Sequence, residues 1–226
     1  MTRGVSSAQM RDISDELQRD RENLFSLAEK VLAAAPLRQW GVWVSDAVSS
    51  YFLSEFMRDV YTASDKIDGG PPPIVPITNS RSVRADPHHQ QAVLARLSQP
   101  DLSIAGKNAL ILCEYTKDRL ALSTLSVPLR RLGAASVDAA VLNLDYPGRF
   151  ITPTSPADKP DIIYDGEPQK HEPAMFRGTL RDAIGQMSVL GEAEPQDDPN
   201  CNLELRAYAS DAFRALAQEY TTQRQA

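Results

Sequence analysis

An α/β fold built on a parallel sheet is what this sequence predicts, on three observations. A continuous apolar run of strand length, ALILC (109–113), and a second, largely apolar segment, VDAAVLNL (137–144), read as buried strands. A segment with helical spacing lies between them, and a strand, a loop and a helix precede them in the same alternating order. Hydrophobic residues make up 42% of the 226, enough to fill a core and too many for a disordered chain.

The elements follow in order. Residues 8–35 read as a helix, because Ile13, Leu17, Leu24, Leu27, Ala28 and Val31 recur at three and four. Pro36 is expected to end it. Its other face carries Arg11, Asp12, Glu16, Arg19, Arg21 and Glu22, so the helix packs on the domain or on a partner chain. A short strand at 41–45 (GVWVS) leads through the loop 46–50 into a helix at 51–62, with Phe52, Leu53, Phe56 and Val60 on one side. The run DKIDGGPPP (65–73) is a surface connection. A second strand follows at 74–78, where Pro76 lacks a ladder donor and places it at an edge. Residues 90–97 form a short helix, and 100–108 lead into the strand at 109–113. A polar loop (114–120) precedes a helix at 123–132, in which Pro128 is tolerable only in or near the first turn. Gly133 is the expected stop, ahead of the strand at 137–144. The stretch 145–173 is proline-rich, with a strand hint only at 162–164. A helix at 179–190 rests on Leu180, Ile184 and Met187, and an acidic linker spans 192–200. The last helix, 203–220, has Leu205, Tyr208, Ala209, Ala212, Phe213, Leu216 and Tyr220 on one stripe. These boundaries suggest an N-terminal helical extension (1–37), an α/β core (38–165) and a C-terminal helical region (166–226).

Charge narrows the partners. A net charge of −6, with no basic concentration, argues against a nucleic-acid or anionic-membrane surface. The longest apolar runs are strand-length, so no membrane span is expected. The first ten residues are polar and lack the apolar core of a leader. Cys113 reads as a small buried hydrophobe; a disulfide with Cys201 stays open, but a reducing, cytoplasmic setting fits better. His88, His89 and His171 make no zinc pattern with two cysteines, so no metal site is expected. No dinucleotide glycine motif, Walker A loop, nucleophile elbow or zinc-hydrolase helix occurs.

Ligands of open parallel sheets sit beyond the carboxyl ends of the strands. Three loops qualify: 46–50, with Asp46, Ser49 and Ser50; 79–86, with Arg81 and Arg84; and 114–120, with Glu114, Tyr115, Thr116, Lys117 and Arg119. The two serines read more simply as helix N-caps. His88 and His89 read as exposed polar residues, and Arg130 and Arg131 as cations favoured at a helix C-terminus.

The run ALILCEYTKDRLALSTLSVPLRRLGAASVDAAVL (109–142) resembles the signature of the type I phosphoribosyltransferase family. That signature is an apolar strand, two acidic residues, a short turn with Thr or Ser and Gly, and a helix. The resemblance rests on the strand, Glu114, Tyr115, the helix ending in Arg130, Arg131, Leu132 and Gly133, and the next strand. It covers roughly 38–165 and implies a Rossmann-like, phosphoribosyltransferase-like core with added N- and C-terminal helices. It further implies acidic groups that accept from ribose hydroxyls and a turn whose N–H groups meet a 5′-phosphate. Magnesium is implied where phosphoribosyl pyrophosphate binds.

The departures are specific. Cys113 stands at the first acidic position and Glu114 keeps the second. Asp118 replaces Thr or Ser, Arg119 replaces glycine, and Ala121 replaces a hydroxyl residue. A carboxylate within ~4–6 Å of a phosphate repels it, although Asp118 and Arg119 also make sense as a paired, solvated turn. Asp46, Ala47 and Val48 supply neither cation nor glycine to the family's pyrophosphate loop, while Arg81 and Arg84 fall in its mobile closing loop. The expectation is a divergent relative without ordinary transferase activity, taking a nucleotide or phosphorylated ligand or serving a regulatory role. Two alternatives stay open: an active enzyme rebuilt on Glu114, Lys117, Arg81 and Arg84, and an unrelated interaction module that uses helices 8–35 and 203–220 to hold a protein partner or a second copy.

Overall fold

The computed structural model describes residues 5–46, 50–64, 70–77, 87–116, 120–144, 159–166 and 202–225. In chain order the elements are α1 (Ser7–Arg38), β1 (Trp40–Asp46), α2 (Tyr51–Thr62), β2 (Ile74–Ile77), α3 (Pro87–Leu97), β3 (Asn108–Thr116), α4 (Leu120–Arg131), β4 (Ser136–Leu144), β5 (Ile163–Asp165) and α5 (Leu203–Gln225). The strands form one five-stranded sheet in the order β2-β1-β3-β4-β5. Every pairing is parallel. After β2 the chain crosses back over β1 to β3 and then proceeds the other way, a doubly wound order that reverses between β1 and β3. β2 is an edge strand, as Pro76 predicts; it lies opposite Ser45.

Alternation along each strand divides the core in two. On one face Trp43, Leu110, Leu112, Ala140 and Leu142 pack beneath α1, α2 and α5. On the other, Val42, Val44, Ala109, Ile111, Cys113, Val137, Ala139 and Val141 pack against α3 and α4. Cys113 is buried, as its apolar neighbours suggest. Residues Trp43, Phe56 and Phe213 are fully buried, each a burial that stabilises by roughly 1.5–3 kcal/mol.

Both prolines lie deeper in their helices than the sequence places them. Pro36 is within α1, which ends at Arg38 with Gln39 left-handed at φ 45°. Tertiary bonds hold this last turn: the Arg38 guanidinium is bidentate on Asp138, and the Asn108 amide donates to the Arg38 carbonyl. Likewise Pro128 falls late in α4. There Leu122, Leu125 and Leu129, all buried on the sheet, outweigh one missing donor. Gly133 is the stop: at φ +83° it lets Ala134 N–H reach Leu129 O and its own N–H reach Arg130 O.

The two terminal helices contribute to the same core face. Phe213 of α5 stacks on Phe52 of α2 at 5.1 Å, and Tyr220 meets Phe25 of α1 edge-on at 5.1 Å. Ion pairs Arg21–Glu219 and Arg224–Glu29 flank that contact. Among the described residues no helix is long and apolar enough to cross a membrane. The expected helix at 179–190, the acidic linker, Cys201 and the loop 79–86 lie outside the described residues.

Candidate functional site

The path of α1 determines what covers the carboxyl ends of the strands. The helix starts at Ser6, whose capping box with Gln9 satisfies the first donors. At its far end Arg38 grips Asp138 near the start of β4, and the Trp40 indole donates to the same carboxylate at 2.9 Å. Lys30 donates to the Asp165 carbonyl at 2.6 Å, and the Asn23 amide to the Asn143 side chain at 3.1 Å. The helix therefore runs back along β4 toward the carboxyl ends. Gly166 is required by β4 beside it, since a Cβ there would collide with the Leu142 carbonyl oxygen.

One turn and two turns before Asn23 stand Asp20 and Glu16, both buried. The sequence places Glu16 on the polar outer face, and this is corrected: Glu16, Asp20 and Asn23 interleave with Ile13, Leu17, Leu24 and Leu27 on the inner stripe. Spacings of four and three inside an apolar stripe are the signal that could have found them.

Beneath this stretch of α1 lies Glu114. It shares the sheet face of Leu110 and Leu112, by the two-residue period of β3, and is 1% exposed. Its Oε1 has no hydrogen-bond partner among the described residues. Burial first, then the nearby acids Asp20, Asp46 and Glu16, hold its carboxyl well above the usual glutamate range. Glu114 thus keeps its proton where an exposed glutamate has lost it.

Ser50 fixes the neighbouring turn. It occupies the N-cap position of α2 but makes no side-chain cap bond. Its hydroxyl instead accepts the Glu114 backbone N–H at 3.1 Å, which replaces the N-cap reading with a cross-link between β1's exit and β3. The Ser50 N–H donates to the Asp46 carbonyl at 2.8 Å, and the Ser54 hydroxyl donates to the Ser50 carbonyl at 2.7 Å. Asp46, 9% exposed, ends β1 opposite Ile77.

Asp46, Ser50 and Glu114 therefore converge at the reversal between β1 and β3, where doubly wound folds hold ligands. Tyr115 and Thr116 continue β3 in register with Asn143 and Leu144. Lys117, Arg119, Ser49, Arg81 and Arg84 lie outside the described residues. His88 is exposed at the start of α3. Arg130 is structural, bonding the Lys159 carbonyl at 2.8 Å and Asp161 at 2.9 Å. Among the described residues no group of three or more His, Cys, Asp or Glu is placed to hold a metal ion. Compared with protein-family models and with curated protein sequences, the chain matches none.

Proposed function

We propose that this chain is a divergent phosphoribosyltransferase-like protein that lacks ordinary transferase activity and serves a regulatory role, with its ligand crevice closed by α1. The observation that carries this reading is the position of Glu114. It is the one acid of the family pattern left, it lies near the end of β3 and not in a loop after it, and it is 1% exposed. A ribose hydroxyl needs an accessible acceptor, whereas Glu114 is sealed from solvent and burial holds its carboxyl well above the usual glutamate range, which weakens it as an acceptor. A phosphate brought to the same end would meet Asp46, Glu16 and Asp20, which repel it. A nucleotide or phosphorylated ligand therefore binds weakly at this end.

The interaction-module reading has less support, because Ile13, Leu17, Leu205 and Phe213 already bury the apolar stripes of α1 and α5 within the chain. The deciding experiment is a product assay with phosphoribosyl pyrophosphate, magnesium and a panel of purine and pyrimidine bases. Neither wild type nor Glu114→Ala should form a nucleotide. A product that depends on Glu114 would favour the active site rebuilt with Lys117, Arg81 and Arg84.

A further inference from the structure

We draw no further inference here: the strongest candidate, the groove of about 270 Å³ between the first half of α1 and α5, lined by Ile13, Leu17, Tyr208 and Leu216, carries none, because nothing in the structure shows what covers it.

Discussion

The hydroxyl of Ser50 accepts the backbone N–H of Glu114 across 3.1 Å, tying the turn after β1 to the end of β3 at a point sealed from solvent. Because Ser50 makes no cap bond to its own helix, the effect of removing it is the effect of stranding that N–H. Ser50→Ala should lose about 1–3 kcal/mol in urea unfolding. Ser50→Thr, which keeps the acceptor, should recover part of the loss. An alanine variant as stable as wild type would mean that the cross-link contributes nothing.

Arg38, Trp40 and Asp138 make a second fastening at the opposite end of α1. The Asp138 side chain is wholly buried and Arg38 is 27% exposed. Arg38→Met leaves that carboxylate with the Trp40 indole as its remaining side-chain donor in this group, and should destabilise by about 3 kcal/mol, the lower end for a broken buried pair. Trp40→Phe removes a single bond and should cost about 1 kcal/mol of bonding beyond any packing change. Thermal melts of the two variants give the comparison; equal and small effects would contradict a buried, bidentate role.

Strands β1, β3 and β4 are readable in the sequence because a parallel strand buried on both faces shows as a largely apolar run. The edge position of Pro76 and the stop at Gly133 are readable for equally local reasons, a missing donor and a left-handed residue. What local pattern misses is decided by contacts distant in sequence. Pro36 sits inside α1 because Asp138 and Asn108, which lie 100 and 70 residues beyond Arg38, hold the last turn. Glu16 reads as solvated until Glu114 is seen beneath it, and no local periodicity reports that a carboxylate will be buried beside others. The site is half visible: Asp46, Ser50 and Glu114 follow from the strand ends, whereas their cover by α1 depends on how that helix crosses the sheet.

Phe213 tests whether α5 belongs to the core. It stacks on Phe52 and is fully buried. Phe213→Ala should lose about 3–5 kcal/mol. Ending the chain before Leu203 should expose Phe52 and Phe56, with dye binding and loss of near-ultraviolet dichroism. A truncated chain that melts like the full one would show the helix to be dispensable.

Two carboxyls should shape stability against pH in opposite directions. Native Glu114 holds its proton above the ordinary glutamate range, so the fold binds more protons there than the unfolded chain. Stability therefore falls as pH climbs from the ordinary range to the native one and then levels, and Glu114→Gln should remove this slope. For Asp161 burial acts upward, but the Val137 N–H and the Arg130 guanidinium outweigh it and draw the carboxyl below its usual range. Its contribution is present above that range and is lost as pH falls through the lowered native value, so Asp161→Asn should flatten the acid limb. Urea midpoints across pH separate the two; a wild-type curve that rises through the window assigned to Glu114 would contradict the burial argument.

Closure of the β1–β3 crevice by α1 over Glu114, with no ordinary substrate site left, is tested most directly by isothermal titration of the full chain with phosphoribosyl pyrophosphate and magnesium. A closed crevice predicts a Kd no tighter than about 1 mM, a binding free energy of about 4 kcal/mol at most. Micromolar, magnesium-dependent binding that disappears in Glu114→Ala would contradict it.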